Sequence, residues 1–151
     1  MAASYRSARR IEIYNNPHDT YVASFVGSPP MNLIDGKLVN GRAVMAPLNF
    51  ELPFSGGAKA GGATDGRPLV FGIRPEDVYL ESGAPVEARV HDVENHGVEK
   101  ILTLRVGDTT LRATVPARTD VAIEQPVRFV WNPDRVVLFD KGSGINLRHA
   151  S

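Results

Sequence analysis

An alternation of apolar and polar residues recurs in four segments of the second half of the chain. Successive side chains of a β-strand point to opposite faces, so each segment is predicted to be a strand with one buried face. The residues in the inward phase are Val86, Ala88, Val90, Leu102, Leu104, Val106, Leu111, Ala113, Val115, Val127, Phe129 and Trp131. Turn sequences separate the segments, and "RVVLFD" at 135–140 adds a last strand. This pattern predicts a small all-β, OB-like barrel, because closure removes exposed strand edges.

The sequence "YNNPHDTYVASFVG" near the N-terminus carries start and stop signals for one short helix. Asn16 is the predicted N-cap, Pro17 suits the first helical position, and Asp19 complements the helix dipole. Gly27 suits a left-handed C-terminal position, and Pro29-Pro30 prevent continuation. A helix of about ten residues is marginal alone, so it must pack on another surface. Its predicted apolar stripe consists of Tyr21, Val22, Phe25 and Val26.

Two dipeptides, Asp35-Gly36 and Asn40-Gly41, are both signals for a two-residue hairpin, because type I′ turns need positive φ at both central residues. They predict a meander of three very short strands. The next segment holds five glycines between positions 56 and 66 and shows no periodicity. Residues 55–66 are therefore predicted to form a mobile loop.

Charge and composition restrict the classes of function. Lys plus Arg (17) balance Asp plus Glu (17), whereas nucleic-acid binders usually carry a basic excess. Aromatic residues make up 7% of the chain, and the single Trp falls in an inward phase, which disfavours base stacking. The absence of cysteine fits a reducing compartment, with the cytoplasm as the default. The sequence contains neither a signal peptide nor an apolar run of the roughly 18 residues that span a bilayer.

Three apparent chemical motifs fail on their spacing. In "GGAKAGGAT", Ala60 follows Lys59 where a phosphate loop needs Ser or Thr, and no helix follows. His91 and His96 are five residues apart, so on a strand they face opposite sides and would converge on a metal only if "ENHG" turns sharply; two exposed side chains at a hairpin are the simpler interpretation. No serine lies in a nucleophile-elbow context, and cysteine is absent. The sequence therefore predicts no catalytic residue, cofactor or metal in this chain.

Two polar groups keep alternative interpretations open. Arg74-Pro75-Glu76-Asp77 form a predicted turn, whose charges either cap it and pair with each other or contact a partner. Arg89, Arg105, Arg112 and Arg128 fall on the outward phase of predicted strands, which neighbouring strands could gather into a basic stripe. That stripe is either a solvated sheet face or a binding surface for an acidic partner or anion.

Three motifs occur in an order that resembles a known family: "YNNP" at 14–17, "FVGSPPMN" at 25–32 and "GIRPED" at 72–77. With the β-rich tail ending in "VRFVWNPDRVVLFDKGSGINL", they resemble the C-terminal part of ATP-binding subunits of ABC importers of the maltose and glycerol-3-phosphate type. The resemblance covers about residues 10–147. It implies that residues 1–27 are a lead-in and the end of an ATPase domain, that 28–147 form an OB-like regulatory domain of the TOBE type, and that 148–151 are a tail.

The resemblance also implies partners. A full-length parent would carry the ATPase domain with ATP and Mg before residue 10, so this chain is expected not to hydrolyse ATP. Homodimerisation, contact with permease subunits through that ATPase domain, cytoplasmic regulators and a place at the inner membrane periphery are expected; nucleic acid is not. The candidate interdomain or partner contacts are Tyr21, Val22, Phe25, Val26, Gly27, Ser28, Pro29, Pro30, Arg74, Pro75, Glu76 and Asp77.

The chain departs from the family at two places. "YRSARR" stands where family members continue the ATPase domain, and Asn95-His96 stand where an apolar residue usually precedes Gly97. Two alternatives to the regulatory role stay open. One is an OB-type domain that binds a small oxyanion, as tails of related importers do; the other is a nucleic-acid-binding OB module, which the charge and the aromatic content disfavour. The imported solute is not encoded here, because selectivity lies in the binding protein and the permease.

Overall fold

The computed structural model describes residues 17–25, 27, 29–39, 42–45, 50–53 and 66–147, with the backbone alone for 50–53. The predicted mobile loop at 55–66 lies outside the described residues except for its last glycine. The described elements are helix α1 (Thr20–Ala23), the 3-10 turns η1 (Pro75–Asp77) and η2 (Pro133–Arg135), and the strands β1 (Asn32–Val39), β2 (Arg42–Met45), β3 (Phe50–Pro53), β4 (Pro68–Ile73), β5 (Val78–Leu80), β6 (Val86–Asn95), β7 (Glu99–Val106), β8 (Thr109–Pro116), β9 (Pro126–Trp131) and β10 (Val137–Asp140).

The strands form two five-stranded antiparallel sheets, with the orders β10-β4-β1-β2-β3 and β5-β9-β6-β7-β8. In the second sheet the edge strands β5 and β8 approach within 8 Å between Cα atoms, so this sheet is a nearly closed barrel. Both sheets contribute to one apolar core, in which Phe71 of β4 and Phe129 of β9 are fully buried. The prediction of an all-β, OB-like fold is confirmed.

The alternating segments are strands with the predicted inward faces. The predicted inward residues are buried, apart from Val106 and Val127, which are partly buried against the core. Trp131 is 3% exposed, as its inward phase predicts. "RVVLFD" also forms a strand, but β10 pairs with β4 in the first sheet and does not extend the second one.

The dipeptide Asp35-Gly36 is not a turn, and that prediction was wrong. It lies inside β1, which pairs with β4 along most of its length. A Cβ atom at Gly36 would lie 2.5 Å from the carbonyl oxygen of Val44 and 2.7 Å from Cε2 of Phe71. Glycine therefore serves close packing at this position, and pairing with two neighbouring strands outweighs the local turn propensity.

The second dipeptide does join two strands. β1 and β2 are antiparallel with Val39 opposite Arg42, so two residues connect them as in a hairpin. Asn40-Gly41 themselves lie outside the described residues. The prediction of three short strands is therefore correct only for the second connection, because the first two predicted strands are one strand of eight residues, β1.

Helix α1 is shorter than predicted and starts later. It has four residues, and its N-cap is Asp19, whose Oδ1 accepts the N–H of Val22 at 2.9 Å. Pro17 precedes the helix, so the assignments of Asn16 as N-cap and Pro17 as first helical residue were wrong. The reason is that the side chain of Asp19, on extended backbone, takes the capping role. A helix this short depends on packing, which its buried Ala23 supplies on the outer face of the first sheet.

Backbone and amide hydrogen bonds tie residues 17–20 to residues 144–146, and we call this pairing the terminal clasp. The N–H of Thr20 donates to the carbonyl of Gly144 at 2.9 Å, and the N–H of Asn146 donates to that of His18 at 2.7 Å. The Nδ2 of Asn146, a residue that is 1% exposed, donates to the carbonyl of Pro17 at 2.7 Å. The clasp fixes α1 against the end of β10.

Asn32, the last residue of the "SPPMN" segment, joins the two sheets. Its Nδ2 donates to the carbonyl of Arg112 at 2.9 Å, and its Oδ1 accepts the N–H of Arg112 at 2.8 Å. The amide thus satisfies both backbone groups of one residue on β8, an edge strand of the second sheet. One side chain therefore covers part of an exposed edge and holds the sheets together.

Replacing Asn32 with alanine is expected to lower the free energy of unfolding by about 1–2 kcal/mol, because two hydrogen bonds of about 0.5–1.5 kcal/mol each are lost at a partly exposed site. Asn32→Asp keeps the acceptor but places a carboxylate oxygen against the carbonyl of Arg112, so at neutral pH its loss should be comparable to that of Asn32→Ala. Urea denaturation measures both. An unchanged midpoint for Asn32→Ala would show that the amide does not hold the edge.

Candidate interaction surfaces

Two aromatic rings are exposed at α1, one on the helix and one two residues after its end. Tyr21 is 71% exposed and Phe25 is 68% exposed, and their ring centroids lie 4.8 Å apart at a tilt of 60°. Val22 between them is half-buried, whereas Val26 lies outside the described residues. The sequence predicted an apolar stripe on a longer helix, and the structure places the two aromatic members of the stripe together in solvent. We call this pair the aromatic patch.

The segment after the helix makes a tight turn towards the core. Gly27 has a φ of 98°, the left-handed conformation predicted for it, but it follows the helix at a distance because the C-cap is Ser24. An isolated bridge pairs Gly27 with Pro30, and Pro29 and Pro30 are half-buried. Ser28 lies outside the described residues. The turn delivers the next residue, Met31, into the small core beneath α1.

The predicted turn at 74–77 is the 3-10 turn η1, and most of it is inside the protein. Arg74 is 2% exposed, Asp77 is 6% exposed and Pro75 is buried, while Glu76 is exposed. The carboxylate of Asp77 lies 3.5 Å from Nε of Arg135 in η2, so an ion pair joins the two 3-10 turns. Of these four residues, Glu76 alone has an exposed side chain.

Burial raises the pKa of Asp77 above its ordinary value of 3.8, and the guanidinium of Arg135 opposes that shift. A raised folded-state pKa means that the folded protein loses stability as pH rises from 3.8 through that pKa. The stability of the wild type relative to Asp77→Asn should therefore fall as pH rises from about 4 through the folded-state pKa of Asp77. Urea denaturation of both proteins across this window checks the sign. A difference that grows with pH would mean that the pairing with Arg135 dominates.

The four outward arginines lie on four neighbouring strands: Arg128 on β9, Arg89 on β6, Arg105 on β7 and Arg112 on β8. All four are exposed. Arg89 and Arg105 are directly opposite each other in the register of β6 and β7. Since neighbouring strands are about 4.8 Å apart, the row crosses roughly 14 Å of sheet surface. We call this row the arginine stripe.

The stripe carries more positive charge than its neighbours neutralise. Arg128 lies 3.6 Å from the carboxylate of Glu87. Among the described residues, no carboxylate comes within 4.0 Å of the guanidinium of Arg89, Arg105 or Arg112. Like charges directly opposite each other on a sheet repel, so the pair of Arg89 and Arg105 is unfavourable on its own.

A cleft of ≈ 490 Å³ adjoins one end of the stripe. Its walls come from the end of β5 and the turn after it, at residues 80–83, from the segment between β8 and β9, and from the start of β9. The lining residues of the last two are Thr119, Asp120, Val121, Gln125, Pro126, Val127 and Arg128, and Glu87 of β6 lines the cleft too. Leu80, Val121 and Val127 line the cleft and pack against the core. The sequence analysis missed this cleft, because nothing in either segment signals that the two meet.

The described residues show no group of three or more His, Asp or Glu side chains that could hold a metal ion. His96 is exposed and lies 3.6 Å from Glu94, and His91 is exposed at the bulge of β6 between Val90 and Asp92. In the part of the chain that the structure describes, no helix has both the length and the apolar character needed to cross a membrane.

Two family models match consecutive and slightly overlapping parts of the chain. The MalK OB fold domain matches residues 27–78, and the TOBE domain matches residues 71–139. The first match contains β1 to β4, and the second contains η1 and the barrel strands β5 to β9. Fold and family models together define the chain as an OB-fold domain of the TOBE type.

Known relatives give the family. The trehalose/maltose import ATP-binding protein MalK of Thermococcus litoralis is 34% identical over an alignment of 149 positions, which covers 88% of this chain and 38% of that protein. The sn-glycerol-3-phosphate import ATP-binding protein UgpC of Ruegeria pomeroyi is 32% identical over 136 residues, 89% of this chain and 36% of that protein. The chain belongs to the family formed by the C-terminal OB/TOBE region of ATP-binding subunits of MalK- and UgpC-type importers.

A solved structure of the cytoplasmic molybdate-binding protein ModG has the same fold. Its TM-score to this chain is 0.58, with 16% sequence identity, and the match covers 71% of this chain and 94% of that one. At that identity the similarity concerns the fold alone.

Proposed function

We propose that the chain is the regulatory and dimerisation domain of an ATP-binding subunit that serves an importer of a sugar or a glycerol-3-phosphate-like solute. The observation that carries the proposal is the match to MalK over 88% of this chain, which spans 38% of that relative. The match to UgpC covers 89% of this chain and 36% of that protein, and it supports a glycerol-3-phosphate-like compound as a candidate solute beside a sugar.

In the whole protein, a separate ATPase domain would bind ATP and Mg and contact the permease subunits at the cytoplasmic face of the membrane. The aromatic patch on α1 supports this arrangement, because two aromatic rings more than two-thirds exposed are suited to a covering surface. The terminal clasp would then transmit the position of α1 to β10 and the first sheet. Neither ATP binding nor hydrolysis is expected of the described domain itself.

A chimera tests the proposed role. The C-terminal region of Thermococcus litoralis MalK is replaced by this chain, and ATP hydrolysis and dimerisation are compared with those of unmodified MalK. The chimera should hydrolyse ATP and dimerise, whereas the isolated chain should show no ATP turnover. Turnover by the repurified isolated chain, or a folded chimera that hydrolyses ATP but stays monomeric, would contradict the proposal.

The isolated chain is expected to dimerise weakly, with a dissociation constant in the high micromolar range. A domain alone keeps only part of a larger interface, and contacts below roughly 1,000 Å² are usually transient. Sedimentation equilibrium over a concentration series measures this. Loss of the dimer in Phe25→Glu but not in Arg112→Glu would place the contact on the aromatic patch, and the opposite result would place it on the barrel. A strict monomer at millimolar concentration would exclude both.

A further inference from the structure

We propose that the arginine stripe and the adjoining cleft form one docking surface, which binds an extended acidic protein segment carrying an apolar side chain. The inference goes beyond the proposed function and does not depend on it, since it concerns the barrel of the isolated chain. It rests on the charge of the stripe, on the apolar side chains that line part of the cleft, and on the continuity of stripe and cleft.

The charge of the stripe selects an acidic partner. Arg89 and Arg105 face each other across two strands, and Arg112 follows diagonally, because it is opposite Thr103, two residues before Arg105. No carboxylate among the described residues neutralises these three. The formal net charge of the chain is zero, so this excess is local. Carboxylates of a partner would relieve the repulsion between the guanidinium groups and gain charge-assisted hydrogen bonds.

The cleft supplies a place for an apolar anchor. Leu80, Val121 and Val127 line it and pack against the core behind it, so one part of its wall is apolar. The rest of the lining is mostly polar and includes the carboxylates of Glu81, Glu87 and Asp120. Ser82 lies on the exposed turn at its rim. A volume of ≈ 490 Å³ accommodates one large side chain of a partner. Buried apolar anchors beside polar contacts are the usual source of affinity in peptide recognition.

The stripe and the cleft are continuous. Arg128 belongs to both, and Arg89 is opposite Pro126, which lines the cleft. The Nη1 of Arg89 donates to the carbonyl of Glu124 at 3.1 Å, where Glu124 has a φ of 72°. This bond orients the Arg89 side chain beside the cleft. A segment with its apolar side chain in the cleft would therefore place the neighbouring residues over the arginines.

The surface fits a protein segment better than nucleic acid or a small anion. Glu81, Glu87 and Asp120 line the cleft, and Asp92, opposite Thr103, lies on the same sheet face as the stripe. These negative charges interrupt the surface and would repel a uniform polyanion, so the acidic residues of a partner must lie over the arginines and not in the cleft. The stripe lies on a sheet face, whereas small oxyanions are held in enclosed sites with converging donors. A protein segment can place carboxylates where the arginines are and leave the other positions neutral.

Fluorescence anisotropy tests the proposal with a labelled peptide, Phe-Gly-Glu-Glu-Glu-Glu, and the full chain at low ionic strength. Arg89→Gln and Arg105→Gln should each weaken binding about two- to fivefold, as expected for exposed ion pairs. Ser82→Trp, which narrows the cleft, and replacement of Phe by Gly in the peptide should each weaken it about tenfold, because the anchor loses its apolar contact. The matched control is Lys37→Gln, which removes an exposed charge from β1 in the other sheet and should leave binding unchanged.

Three results would overturn the proposal. The first is that Arg105→Gln and Lys37→Gln weaken peptide binding equally, which would indicate non-specific electrostatic attraction and no defined site. The second is an undiminished affinity for the peptide that lacks Phe, which separates the cleft from the stripe. The third is tighter binding of oligothymidine, or displacement of the peptide by inorganic phosphate at a comparable concentration. Urea denaturation of each variant confirms that it is folded, and amide chemical shifts of β6, β7 and residues 119–127 should move in the wild type.

Discussion

Replacing Gly36 with alanine is expected to lower the free energy of unfolding by about 1–3 kcal/mol, the usual effect of overpacking a well-packed site. The new Cβ would lie 2.5 Å from the carbonyl oxygen of Val44, a backbone atom of the paired strand β2, and 2.7 Å from the ring of the fully buried Phe71. Alanine also restricts the unfolded chain, which favours folding by about 0.4–1 kcal/mol. The steric clash outweighs this gain, because the strand ladder between β1 and β2 holds the carbonyl of Val44 in place.

Thermal unfolding measures the effect, and a loss of this size corresponds to a fall in Tm of roughly 2–10 °C for a chain of this length. Gly142→Ala is the matched control. A Cβ at Gly142 meets only Asp140 Oδ2, at 3.4 Å, so this variant should unfold within about 0.5 kcal/mol of the wild type. Equal stability of Gly36→Ala and the wild type would mean that β1 and β2 separate easily at this point.

Gly36 also shows which features a local sequence pattern can predict and which it cannot. Alternation along β6 to β9 is local information, and it predicted the buried faces of these strands because burial on one face fixes the phase of every residue. Asp35-Gly36 is also a local signal, and it misled the prediction because the need for glycine comes from Val44 and Phe71, which no pattern near position 36 reveals. Likewise, the helix signals located α1 but not its length. The buried residue of the helix is Ala23, which was not part of the predicted stripe, whereas Tyr21 and Phe25 of that stripe are exposed.

Of the candidate surfaces, too, some features could be predicted from the sequence and others could not. The outward phase of the four arginines could be predicted from the strand pattern, but the direct pairing of Arg89 with Arg105 depends on the register of β6 and β7 and on a bulge between Val90 and Asp92. The cleft unites segments about 40 positions apart, and the partner of Asn32 is 80 positions away. Contacts between segments that are distant in sequence therefore could not be predicted from local patterns. One of the residues that make them, Asn32, was nevertheless part of the motif that carried the family resemblance.

Asn146 is the residue whose replacement should disturb the domain junction most, because its side chain and backbone bind residues that precede α1. Replacing it with alanine leaves the carbonyl of the buried Pro17 without the Nδ2 donor, 129 positions away in sequence. An unsatisfied buried acceptor costs about 1–3 kcal/mol, and we expect a loss of that size. The opening should be local at first, so the amides of Ala23 and Ser24, which donate to Asp19 and Thr20, should exchange faster than those of the barrel strands.

Asn146→Asp separates the hydrogen bond from the shape of the side chain. Below its pKa the protonated acid can still donate to the carbonyl of Pro17, whereas above it the carboxylate is a buried charge facing an acceptor. Burial raises the pKa of such a group, so the loss of stability should be small near pH 4 and should exceed that of Asn146→Ala at about pH 7. Asn95→Asp is the control, because Asn95 is exposed and its Oδ1 accepts the N–H of Gly97, which a carboxylate also does. A pH-independent loss in Asn146→Asp, equal to that of Asn146→Ala, would show that the terminal clasp is held by its backbone hydrogen bonds and not by this side chain.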